Sequence, residues 1–177
     1  AKEQGRNNLQ FYSAHMGSAN VSRLALETQL KRAVADGNQF IVHYQPRVSA
    51  QEGIITGAEC LVRWMNPERG LVSPAEFIPL AEELGLIRDI GDWVLRSAAR
   101  QAAEWRRAGL APISIAVNIS AQQFYASNFL DGLRGVLQEH RLDSDAIELE
   151  ITESVMMQRT QQVADVLNAI RTLGVPL

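Results

Sequence analysis

The run FIVHYQPRV-SAQEG-IITGAECLVRW, residues 40–64, holds two strand-like segments, Phe40–Val48 and Ile54–Trp64, joined only by Ser49–Gly53. A parallel crossover needs about a dozen residues or more, so this pair must be antiparallel. Beyond Trp64 the pattern changes to alternation of helix and strand. Ser73-Pro-Ala-Glu76 reads as a capping box with proline at the first helical position, followed by Phe77, Leu80, Ala81 and Leu84 and a stop at Gly85. A longer helix carries Ile87, Ile90, Val94, Leu95, Ala98 and Ala102 on one side and ends near Gly109. Ile113–Ile119 is a buried type of strand, Phe129–His140 a helix and Ala146–Thr152 an alternating strand. Val163, Val166, Leu167 and Ile170 mark a last helix capped at Gly174. This βα repetition predicts an α/β fold with mostly parallel strands.

Upstream of the hairpin, Leu24, Leu26, Leu30, Ala33 and Val34 predict a helix from about Asn20 that stops at Gly37. Residues 1–18 differ in composition and read as a tail or linker. At the other end, Val175-Pro176-Leu177 reads as the opening of a further strand. Domain boundaries fall in polar linkers, so the chain is expected to stop inside a fold.

The 177 residues are 46% hydrophobic and 21% charged with a net charge of −3, which fits one globular domain, with or without an appendage. The slightly acidic balance gives no support for binding a nucleic-acid polymer, which relies on clustered Lys and Arg. Cys60 is the one cysteine, excluding an intrachain disulfide and a cysteine zinc site. No apolar run approaches the roughly 18 residues of a membrane span, and Ala1–Gln10 is too polar for a signal peptide. A cytoplasmic segment without membrane contact of its own is expected, even if upstream domains anchor the parent protein.

Three strands place an oxygen donor near their C-terminal ends: Glu59, Asn118 and Glu150. In an α/β barrel these ends converge on the face where active sites are built. Carboxylate and amide oxygens without His or Cys favour Mg²⁺ or Mn²⁺ over zinc. Solvated strand faces, with Asn118 capping a helix, explain the same spacing, and spacing alone leaves both open. Glu59, Leu61 and Arg63 share a face by the two-residue period. Arg63 could clamp a phosphate with its planar fork or form a surface ion pair. Glu153 either braces a loop or caps the next helix. His15, His43 and His140 are scattered, and neither a phosphate-binding P-loop nor a dinucleotide glycine motif is present.

Six motifs then occur in order: Tyr44-Gln-Pro46, Gly57-Ala-Glu-Cys-Leu-Val-Arg-Trp64, Pro74-Ala-Glu-Phe-Ile-Pro79, Val117-Asn-Ile-Ser120, Gln123-Phe124 and Leu149-Glu-Ile-Thr-Glu-Ser154. Together they resemble an EAL domain, the family of cyclic di-GMP phosphodiesterases. Ala1–Tyr12 is similar to the last strand of a GGDEF (diguanylate cyclase-like) domain. The resemblance therefore implies that residues 1–18 are the end of a GGDEF domain with its linker. Residues 19–177 would be the N-terminal part of an EAL domain, truncated before its fifth strand. The implied fold is a modified TIM barrel with an antiparallel first strand, here only about the first four strands and their helices.

By the same resemblance, Glu59, Asn118 and Glu150 are ligands of Mg²⁺ or Mn²⁺, with Glu59 and Glu150 in the catalytic set. Gln45, Leu61 and Arg63 contact cyclic di-GMP, Arg63 through a phosphate, and Glu153 steadies the loop that completes the metal site. Two cations polarise the phosphodiester and activate a water for in-line attack, giving linear diguanylate. Two departures stand out. Cys60 replaces the usual alanine between Glu59 and Leu61, where a side chain pointing out of the barrel is expected to be tolerated. The family's paired aspartates, catalytic lysine and later glutamate would all follow Leu177. The chain alone is therefore expected to be inactive, completing its barrel as a homodimer or with the missing half. A non-catalytic cyclic di-GMP sensor is the competing expectation, and a purely structural dimerisation fragment the third.

Overall fold

Alternation in residues 40–64 fixes a sheet with one apolar and one polar face. In the computed structural model, which describes residues 14–151, 155 and 161–177 with side chains from Ser22 onward, strand β1 (Phe40–Val48) pairs antiparallel with β2 (Ile55–Asn66). Phe40 faces Trp64 and Gln45 faces Glu59, and the register is interrupted between Arg47 and Val48. Strand β4 (Ser114–Ile119) joins β2 in parallel, and β5 (Ile147–Ile151) joins β4 in parallel, giving the order β1-β2-β4-β5. The antiparallel pair and the parallel strands agree with the sequence-based expectation.

Sequence reading missed the short strand β3 (Gly70–Val72), which pairs antiparallel with β2 and carries that strand past Trp64 to Asn66. Its turn is held by the buried Asn66 side chain, whose Oδ1 accepts from the backbone N–H groups of Glu68 at 2.8 Å and Arg69 at 3.0 Å. An Asx turn of this kind supplies locally the partners a buried amide requires.

Helix α1 (Ala14–Asp36) begins ahead of the expected Asn20, inside the segment read as linker. Helices α2 (Pro74–Glu83), α3 (Ile87–Arg107), α4 (Ala121–Phe124), α5 (Phe129–His140) and α6 (Gln161–Leu173) follow. The expected capping box at Ser73 is only half present. Pro74 opens the helix, but the Ser73 side chain makes no cap bond, and its carbonyl instead accepts from the Glu76 and Phe77 amides at 2.9 and 3.2 Å. A reciprocal box forms at Ser120 and Gln123, where each side chain satisfies the other's backbone.

All the helices that pack on the sheet cover the same face. Phe40, Cys60, Trp64, Val117, Ile119, Ile147 and Leu149 meet Phe77, Ile90, Val94, Ala98 and Leu133 in one core. Trp64 is its centre: fully buried, edge-on to Phe77 at 5.8 Å, 6.4 Å from the Phe40 ring, with its indole N–H donating to Gln39 Oε1 at 3.1 Å. Among the described residues no layer covers the other face, and the sheet is not closed. At its β5 edge the Leu149 amide donates to the Pro176 carbonyl at 2.9 Å and Val175 is buried, so the final residues lie against β5, although the expected further strand does not form over Val175–Leu177. Glu153 and Ala1–Tyr12 lie outside the described residues.

Trp64→Ala empties the middle of this core and leaves Gln39 without its donor. Truncation of a buried aromatic costs about 3–5 kcal/mol, and urea unfolding followed by circular dichroism should show a loss of that size. A loss below about 1 kcal/mol, the size of an ordinary surface change, would move the centre of the core elsewhere.

Candidate active site

Two-residue periodicity puts the odd-numbered residues of β1 and β2 and the even-numbered residues of β4 and β5 on the uncovered face. Glu59 lies between Gln45 on β1 and Ala116 on β4, while Asn118 lies opposite Glu150. The Asn118 Nδ2 donates to Glu59 Oε1 at 3.0 Å, and its Oδ1 accepts no hydrogen bond among the described residues. Three of the expected residues, from three strands, thus share one patch. Asn118 and Glu150 are each next to last in their strands, as expected. Glu59 instead sits mid-strand, as it does even within the expected bounds Ile54–Trp64. Asn118 does not cap a helix; that position belongs to Ser120.

The electrostatics of the patch fit a cation. Burial first, and then the neighbouring Glu59 charge, hold the Glu150 carboxyl above the usual carboxylate range, with Arg47 pulling the other way. Among the described residues no three His, Cys, Asp or Glu side chains converge closely enough to hold a metal ion. The oxygen donors that could hold an ion here are the Glu59 and Glu150 carboxylates and Asn118 Oδ1.

Gln45, Leu61 and Arg63 lie on the same face. Arg63 is half-buried and its guanidinium donates to the Val62 carbonyl at 2.9 Å. With Leu61 and Asn118 it lines a cavity of about 360 Å³ that extends between the strand ends and helices α2 to α4. Pro74, Ile78 and Glu82 form its far wall, a contribution the sequence reading did not assign, although Pro74–Pro79 was noted as a motif. Gln123 also lines it. That side chain is 2% exposed and its Nε2 has no partner among the described residues. Gly91 makes the room, since a Cβ there would fall 2.1 Å from the Gln123 amide.

Cys60 points the opposite way, into the helix-covered core, which agrees with the outward orientation expected for it. Burial, followed by the adjacent Glu59 charge, pushes its thiol up to about 12.

A family model described as "EAL domain" matches residues 27–177. The bifunctional diguanylate cyclase/cyclic di-GMP phosphodiesterase MucR of Pseudomonas aeruginosa is 40% identical over 175 residues, covering 99% of this chain and 25% of that protein. The cyclic di-GMP phosphodiesterase PA2567 of the same species is 39% identical over 163 residues, 92% of this chain and 28% of that protein. The chain thus spans about a quarter of these relatives' lengths. Among solved structures, the MucR phosphodiesterase in complex with c-di-GMP superposes with a TM-score of 0.79 at 39% identity, covering 85% of this chain and 61% of that one. The Xanthomonas citri FimX EAL domain in complex with c-diGMP gives 0.76 at 26% identity, covering 89% and 61%.

Because the thiolate is the reactive form, a thiol at about 12 is almost wholly protonated at pH 8. Cys60 should resist iodoacetamide in the native chain and alkylate fully in urea, as read by intact mass. Complete native labelling within minutes would place Cys60 on the open face.

Proposed function

The chain belongs to the EAL domain family, and on that premise we propose that it supplies the cation seat and part of the substrate surface for hydrolysis of cyclic di-GMP to linear diguanylate. One observation carries the reading: Glu59, hydrogen-bonded to Asn118 at 3.0 Å, shares an uncovered sheet face with Glu150, Gln45, Leu61 and Arg63. The phosphodiesterase activities for which MucR and PA2567 are named, and the c-di-GMP in the superposed structures, support this choice of substrate.

In this reading Glu59, Asn118 and Glu150 hold Mg²⁺ or Mn²⁺, and Glu59 and Glu150 belong to the catalytic set. A bound divalent cation would polarise the phosphodiester and activate a water for in-line attack. Arg63 binds a phosphate through its guanidinium fork, and Gln45 and Leu61 orient the dinucleotide beside it. Glu153 steadies the adjoining loop. In this reading the described strands supply one part of the site, and the chain by itself binds the dinucleotide without turning it over. Completion comes from the rest of an EAL barrel or from a second copy. Residues 1–18 are then the end of a GGDEF domain with its linker. A cytoplasmic location belongs to the same reading; among the described residues no helix is long and apolar enough to cross a membrane.

Calorimetric titration of the chain with cyclic di-GMP should give binding that depends on Mn²⁺ and weakens about tenfold in Arg63→Ala, the loss expected for one charge-assisted contact. Chromatography should show linear diguanylate only when the protein contains the whole EAL domain, and none after Glu59→Gln. Cleavage by the mass-checked 177-residue chain would overturn the half-site reading. Binding without cleavage by the whole domain would make it a sensor.

A further inference from the structure

Below the proposed cation seat lies a charged group that the reading above does not use. The Arg47 guanidinium reaches from β1 across β2 at Gly57, where a Cβ would lie 2.8 Å from Nη2 and 3.0 Å from Nε. Gly57 therefore leaves the slot through which the side chain passes. On the far side Arg47 donates to Glu148 Oε1 at 2.8 Å, to Glu148 Oε2 with its second nitrogen, and to Ser114 Oγ at 3.0 Å. The Ser114 hydroxyl also donates to Glu148 Oε2 at 3.4 Å. Both oxygens of Glu148 are thus engaged by a bidentate fork, the strongest arrangement for this pair. Glu150, one turn of the pleat away, is only approached: Arg47 Nη1 stands 3.9 Å from its Oε1, beyond a hydrogen bond.

We propose that Arg47 is a positioning residue for the cation seat: by occupying Glu148 it leaves Glu59, Asn118 and Glu150 as the ligands open to a divalent ion. The inference rests on the cation seat proposed above. Without Arg47, Glu148 and Glu150 would present two unpaired carboxylates on adjacent inward positions of β5. An ion would be drawn to that pair, away from Glu59 and from the substrate surface around Arg63. Without Glu148, the released guanidinium would close the short gap to Glu150 and compete with the ion for it.

The two single variants therefore move Mn²⁺ affinity in opposite directions, which a merely structural role would not do. Titration of the 177-residue chain with Mn²⁺, by calorimetry and by electron paramagnetic resonance of bound ion, reads both. Circular dichroism melts confirm that each variant is folded. Arg47→Gln should bind Mn²⁺ about fivefold tighter, and Glu148→Gln about fivefold more weakly, as expected for adding or removing one unpaired charge near the seat at an effective dielectric constant of about 20. The double variant should return to wild-type affinity. In wild type, Glu59→Gln should cost about tenfold or more, but in the Arg47→Gln background less than about threefold, because the ion has left Glu59. Unchanged affinity in both single variants, with an undiminished cost of Glu59→Gln, would overturn the role of Arg47 and leave the seat standing. Failure of the wild-type chain to bind Mn²⁺ would overturn the seat itself, and this inference with it. Should Arg47→Gln not fold, the sign of Glu148→Gln decides alone: weaker binding supports the role, unchanged or tighter binding removes it.

Discussion

The register between β1 and β2 is the constraint on which the rest of the molecule depends. Pairing Phe40 with Trp64 sends both rings to the helix side, and the same register sends Gln45, Glu59, Leu61 and Arg63 to the other. A slip by one residue would drive Glu59 into the core and expose Trp64, so burial of the aromatic cluster enforces the placement of the polar row. Stability and site geometry are therefore two consequences of one pairing. The parallel strands extend it: Asn118, Glu148 and Glu150 continue the polar row, while Val117, Ile119, Ile147 and Leu149 continue the buried one.

Charge on the polar face is divided rather than balanced. Arg47, mainly through its hydrogen bonds, lowers Glu148 below the usual carboxylate range, whereas burial and Glu59 raise Glu150. The signs differ in consequence. Stabilisation from Glu148 is present above its unfolded value and is lost as pH falls through the lowered folded value. For Glu150 ionisation works against the fold as pH rises beyond the ordinary range, and a cation beside it would offset that cost. Glu148 is 24% exposed and Glu150 37%, so solvent screens these effects and their weight in stability is small.

Much of this was legible in the chain itself. The loop Ser49–Gly53 is too short for a crossover, which fixed the antiparallel pair, and apolar spacing located α3, α5 and α6 to within a residue or two. The two-residue period also put Glu59 and Arg63 on one face and Cys60 on the other. Strand β3 escaped because Gly70–Val72 is three residues long and shows no period of its own; it exists because Asn66 folds the chain back onto β2. The early start of α1 escaped because Ala14–Gly17 carries no apolar stripe to announce it. Glu153 falls outside the described residues.

What the sequence determined by itself is therefore local and periodic: which segments become strands and helices, which residues share a face, and which oxygen donors are available to a metal. The tertiary structure alone decided which donors meet. Asn118 bonds to Glu59 across 59 positions of chain, and Arg47 grips Glu148 across 101. No local pattern encodes such contacts, because they arise from the order in which strands lie side by side, and from the side chain absent at Gly57 that lets one residue reach past its neighbour.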